Sequence, residues 1–130
     1  MFSLNKKTAV ITGAAGGIGF AIAQRFRAAG ANVVMSDLSD GSDKATSIGA
    51  HFQQADVSEE EQVGALMQRA VDEFSSLDIA VNNAGMMIVG NSIINESNDA
   101  YLKQFNVNVM SVVYGIRQAA KRMKPGSAIV

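Results

Sequence analysis

The residues best suited to chemistry begin with a stretch that works through its lack of side chains. Thr12 to Gly19 reads TGAAGGIG. A chain leaving a strand must turn sharply at Gly13, come close to a ligand near Gly17 and pack a helix against a sheet at Gly19, and bulk at any of these points obstructs it. Backbone N–H groups at the helix start, including that of Ile18, then face phosphate oxygens with the help of the helix dipole. The glycines fall at 13, 17 and 19 rather than in GxGxxG spacing, but the physical demand is the same. A glycine-rich turn without a ligand is the plainer alternative, and the placement between a strand and a helix weighs against it.

Asp37 follows about twenty residues later, where a carboxylate can accept hydrogen bonds from the adenosine ribose hydroxyls of a dinucleotide. A 2′-phosphate there would meet a like charge, a repulsion of roughly 4 kcal/mol at 4 Å and an effective dielectric near 20. Ser36, Leu38 and Gly16 supply no compensating cation. The pattern points to NAD, with NADP disfavoured. An aspartate that only caps a turn is the competing reading.

These groups need elements to hold them. Thr8 to Thr12 (TAVIT) reads as a buried strand, and Ala31 to Ser36 (ANVVMS) as a second. His51 to Ala55 is a third, and Leu77 to Val81 a fourth; Ser127 to Val130 begins a fifth. Between the first two strands Ile18, Ile22 and Phe26 recur every four residues and Gly30 supplies a stop, so a helix follows the glycine loop. Ser39 to Ser47 holds a short helix. Ser58 and Glu61 form a capping-box pattern ahead of a stripe of Val63, Leu66, Met67, Ala70, Val71 and Phe74. A long helix is expected from about Ser97 to Met123, with Tyr101, Leu102, Phe105, Val109, Val112, Val113, Ile116, Ala120 and Met123 as its apolar side. Lys121, Arg122 and Lys124 complement its dipole, and Pro125-Gly126 stops it. Alternating strands and helices imply right-handed crossovers and one α/β domain over 1–130, a Rossmann-type doubly wound parallel sheet with helices on both faces, cut off at the start of its fifth strand. Ligands then sit beyond the strands' carboxyl ends, where the polar groups fall.

Composition narrows the function. The 130 residues contain no cysteine and one histidine, His51, which excludes disulfides, Cys-based zinc sites and histidine clusters, and no metal is expected. With 11 basic and 12 acidic residues the chain lacks the charge imprint of a nucleic-acid binder or an anionic-membrane binder. No apolar run reaches the ~18 residues that span a bilayer, and Lys6 and Lys7 precede no signal-type core, so a soluble cytoplasmic chain with a small-molecule partner is expected.

Together TGAAGGIG at 12–19, Asp37, Asp56-Val57, NNAG at 82–85 and VNVMSV at 107–112 resemble the short-chain dehydrogenase/reductase family in its ordinary branch, over nearly the whole chain. The resemblance implies that Gly13, Gly17, Ile18 and Gly19 hold the pyrophosphate and that Asp37, with Leu38 beside it, binds the adenosine. Asp56 and Val57 would contact the adenine, Asp56 accepting from its amino group. Asn83, Ala84 and Gly85 would line the nicotinamide ribose side, while Asn82 mainly ties the fourth strand to its neighbour. Asn108, favoured over Asn106, matches the asparagine that interrupts the long helix so that a backbone carbonyl holds a water of the proton relay.

The family's chemistry is hydride transfer between nicotinamide and a carbonyl or alcohol carbon, with a serine, a tyrosine and a lysine at the reacting centre. Phe105 follows Tyr101 by four positions and Gln118 follows Tyr114, so no Tyr-xxx-Lys pair is present. The expectation is therefore an amino-terminal portion that binds the coenzyme and does not turn over, from a parent that forms dimers or tetramers. A non-catalytic dinucleotide-sensing module is the alternative. Met86, Met87, Ile88 and Val89 could form an apolar wall, or simply packed loop.

Overall fold

The computed structural model describes residues 2–130. Five parallel strands form one sheet in the order β3-β2-β1-β4-β5. They are β1 (Thr8–Thr12), β2 (Asn32–Asp37), β3 (His51–Gln54), β4 (Ile79–Val81) and β5 (Ala128–Ile129). The glycine loop leads into α1 (Gly17–Ala28), and the short α2 (Ser42–Ser47) precedes β3. Next comes α3 (Glu60–Phe74), and between β4 and β5 lie α4 (Asn98–Phe105), a π-helical segment (Asn106–Met110) and α5 (Ser111–Ala120). From β1 the chain adds β2 and β3 to one side and then returns to add β4 on the other. The reversal leaves the ends of β1 and β4 side by side, and crevices open at such points.

Helices on both faces bury the inner strands, so β1 reads as continuous apolar sequence rather than an alternation. Val10, Val34 and Ala80 pack under Leu66 and Met67 of α3 and Ala119 of α5. Ile11, Val33 and Met35 pack on the other face against Ala23 of α1 and Ala45 of α2. The stripe expected on α3 is the one that is buried. At the amino end of the sheet, Asp78 accepts from the Thr8 N–H at 2.9 Å and the Ser76 hydroxyl at 2.8 Å, and pairs with Lys7 at 3.3 Å. Burial opposes its ionisation, but the hydrogen bonds from Thr8, Ser76 and Lys7 and the charge of Lys7 outweigh that and hold the carboxyl below its ordinary range.

Four local expectations differ from the structure. The helix that periodicity suggests over Ser97 to Met123 is two helices joined by a π turn at Asn106–Met110, where the resemblance implies an interruption at Asn108, and its regular hydrogen bonding stops at Ala120. The cause is Asn108, whose side chain accepts from the Met86 N–H and donates to the Met86 carbonyl, both at 2.8 Å, drawing that part of the helix toward the loop after β4. The π turn offsets the two halves, so the apolar residues do not form one stripe. Val107, Tyr114 and Met123 join the core, while Tyr101, Phe105, Val109, Val113 and Ile116 remain 37–51% exposed. The capping box is also absent: Glu59 caps α3 without a side-chain bond, because Ser58 turns its hydroxyl to Asp56. Strand β4 is shorter than expected and begins at Ile79, since the sequence before it supplies the Asp78 anchor. Ile18 lies off the core and is 74% exposed, because the first turn of α1 stands beyond the sheet end.

Candidate functional site

A cleft of about 890 Å³ lies over the carboxyl ends of β1, β2 and β4. Gly13, Gly17 and Ile18 form its near wall, with Asp37 and Leu38 at the end of β2. Asp56 and Val57 continue it past β3, and Asn83, Ala84 and Gly85 past β4. The far wall is α4, through Asp99, Leu102 and Lys103, followed by Asn106 and Val107 of the π segment. Residues expected from four separate stretches of sequence thus meet in one concavity. Gly19 and Asn108 do not line it.

The glycines divide by task. Gly13 has φ +64°, and a Cβ there would come within 2.8 Å of the Ala84 Cα, so the strand ends β1 and β4 meet only because it is bare. Gly19 is buried beneath the loop, and a Cβ on it would collide with the Gly13 carbonyl and approach the Asn83 Nδ2 to 2.6 Å. Gly17 has φ +54° and nothing within 4 Å of its missing Cβ. Packing accounts for Gly13 and Gly19, whereas the space beside Gly17 opens on the cleft wall. Such bare main chain at a helix start suits a diphosphate.

Thr12 and Asn83 lock the two strand ends together. The Thr12 hydroxyl donates to the Val81 carbonyl at 3.4 Å and accepts from the N–H groups of Asn83 and Ala84, both at 3.1 Å. The Asn83 amide returns bonds to the carbonyls of Thr12 and Gly13 at 3.0 and 3.1 Å. Asn82 donates its main-chain N–H to the Val130 carbonyl at 2.7 Å and its side chain packs where Gly115 leaves room on α5. Both asparagines therefore tie strands together, and Asn83 also lines the cleft.

The two aspartates are partly engaged. Asp37 Oδ2 accepts from the Ala15 N–H at 3.0 Å and Oδ1 from the Ser39 N–H at 3.1 Å. Asp56 Oδ1 accepts from the Ser58 N–H at 2.9 Å and the Ser58 hydroxyl at 2.6 Å. Each carboxylate keeps acceptor positions beyond these bonds. With the apolar Leu38 and Val57 both lining the cleft, bare main chain at Gly17 and a carboxylate at the end of β2, the residues present fit an adenine dinucleotide. Neither tyrosine lines the cleft.

Sequence reading missed three contributors. Thr12 stands at the polar end of its strand, a usable signal; Ser58 reads as a helix cap; and Lys44, which donates to the Ala15 carbonyl, reaches across 29 residues and leaves no local trace.

A sequence profile of a family described as enoyl-(acyl carrier protein) reductase matches residues 13–130. The chain belongs to the short-chain dehydrogenase/reductase family. A short-chain dehydrogenase reductase of Arabidopsis thaliana is 41% identical over 125 residues, covering 95% of this chain and 46% of that protein. The (S)-acetoin-forming diacetyl reductase of Staphylococcus epidermidis ATCC 12228 is 38% identical over 123 residues, covering 89% and 48%. A crystal structure of a short-chain dehydrogenase/reductase (glucose/ribitol dehydrogenase) from Brucella melitensis superposes with a TM-score of 0.92 at 32% identity, covering 98% of this chain and 57% of that one. The chain spans about half the length of the curated relatives it matches. Members of this short-chain family generally use NAD(P) coenzymes. Among the described residues no helix is long and apolar enough to cross a membrane.

Proposed function

We propose that this chain forms the coenzyme-binding portion of an NAD(H)-dependent oxidoreductase acting on an alcohol or carbonyl carbon. The observation that carries the reading is Asp37, which closes β2 at the cleft with one N–H on each oxygen. A carboxylate offers about four acceptor positions, so capacity remains for two ribose hydroxyls, and its charge disfavours a 2′-phosphate. Gly13, Gly17 and Ile18 would receive the diphosphate, with Gly19 supporting them from below. Leu38 and Val57 would flank the adenine, Asp56 would accept from its amino group, and Asn83, Ala84 and Gly85 would border the nicotinamide ribose.

The coenzyme, when bound, supplies or accepts the hydride. This chain binds and orients it. The Asn108 side chain is engaged by Met86, and by family resemblance its main-chain carbonyl, in the interrupted helix, would hold a water of the proton relay. The serine, tyrosine and lysine of the reacting centre would come from a part of the protein outside these residues, which suits a chain spanning about half of its relatives. By itself the chain should bind NAD(H) without turnover, since among the described residues neither tyrosine lines the cleft to serve as the family's general acid. The diacetyl reductase relative favours a small carbonyl substrate for the whole protein. The exposed apolar side of α4 and α5 would be covered by a second copy in a dimer or tetramer.

Calorimetric titration with NAD and NADP tests the reading. Asp37→Ala should weaken NAD binding by roughly 10- to 150-fold, the worth of charge-assisted hydrogen bonds of about 1.5–3 kcal/mol, while easing NADP binding. Equal affinity of the unmodified chain for the two coenzymes would overturn the choice of NAD.

A further inference from the structure

Resting on that reading, the geometry points to Lys44 as a positioning residue for the diphosphate loop, a role exerted through the main chain of Ala15. Ala15 is gripped from three directions. Its N–H donates to Asp37 Oδ2 at 3.0 Å, and its carbonyl accepts from the Lys44 ammonium. Its Cα and Cβ face Gly41, where an added Cβ would lie 3.3 and 3.1 Å from them. The ammonium is itself seated 5.6 Å from the centroid of the Phe20 ring, on the helix that the loop opens. Lys44 thus fastens α2 to both ends of the turn between Ala15 and Phe20.

Peptide geometry makes this grip consequential. A trans peptide points its carbonyl and the following N–H in opposite directions. Holding the Ala15 carbonyl toward α2 therefore turns the Gly16 N–H to the other side and fixes the plane from which Gly17 departs at φ +54°. Glycines have little intrinsic preference for one conformation, so an unanchored Gly16-Gly17 pair would sample many. The ammonium lies 3.9 Å from the position of a Cβ on Gly16, and it adds positive potential beside the loop. Both effects favour a ligand with a diphosphate, and Lys44 reaches the nucleoside only at one remove, through the Ala15 N–H bond to Asp37.

Comparing ADP with adenosine as probes separates these roles, by NMR titration of the unmodified 130-residue chain and of Lys44→Met. ADP affinity should fall roughly tenfold in Lys44→Met while adenosine affinity stays within about twofold, and Lys44→Arg should restore most of the loss. Lys44→Gln serves as a second variant with a polar stem, and circular dichroism melting checks that each variant folds. Unchanged ADP affinity in Lys44→Met or Lys44→Gln, or an equal loss for both probes, overturns the positioning role. Failure of the unmodified chain to bind either probe would instead remove the nucleotide reading itself.

Discussion

Asp78 and Asp37 stand at opposite ends of the same parallel sheet. At the amino end, Asp78 gathers the Thr8 N–H, the Ser76 hydroxyl and the Lys7 ammonium, and its side chain is 20% exposed. At the carboxyl end, Asp37 takes one main-chain N–H on each oxygen and borders an open cleft. The first carboxylate joins β1 to the segment entering β4, with its partners supplied by the fold. The second shapes the adjoining loop and retains capacity for something the fold does not supply. Satisfaction within the chain separates scaffold from site more clearly than residue type does. The same contrast divides Gly19, filled in by its neighbours, from Gly17, which borders space.

The largest test of this contrast is Gly19→Ala. Its methyl would meet backbone and the Asn83 amide, so the chain should lose about 3 kcal/mol of stability in urea unfolding, as overpacked sites do. Asp78→Asn comes next, with an expected loss of about 2 kcal/mol at pH 7 from weakened charge-assisted bonds. Because folding lowers the Asp78 pKa from its ordinary 3.8, its contribution is present above that value and disappears as pH falls through the folded-state pKa. Unfolding midpoints of the two proteins should therefore converge in strong acid; a gap that persists there would assign the effect to packing. The smallest effect belongs to Asn108→Ala, which removes two bonds to Met86 from an exposed position and should cost about 1 kcal/mol. Amide exchange at Met86 should rise in that variant, and unchanged exchange would show that the loop is held by other contacts.

The strands and the glycine loop were legible because their determinants are local: short β-branched runs, and glycines where a chain must turn under a neighbour. The course of the long helix was legible only through the family resemblance, which implies an interruption at Asn108; its apolar residues by themselves are periodic enough to suggest one rod, and the pairing that holds Asn108 reaches a main-chain segment 22 residues earlier. Ser58 illustrates the same limit at short range. Its hydroxyl could satisfy the start of α3 or the Asp56 carboxylate, and sequence alone gives no means of ranking the two. Candidate cleft residues were recognisable one strand end at a time; α4 as the opposite wall depended on how the helix packs.

The bonds from Ala15 and Ser39 to Asp37 carry a consequence for redesign. Exchanging this carboxylate for a neutral residue to redirect coenzyme preference would also strip two amides of their acceptor. A successful swap should pair the new side chain with a replacement acceptor at the loop, since a change made at position 37 alone would alter selectivity and loosen the turn in the same stroke.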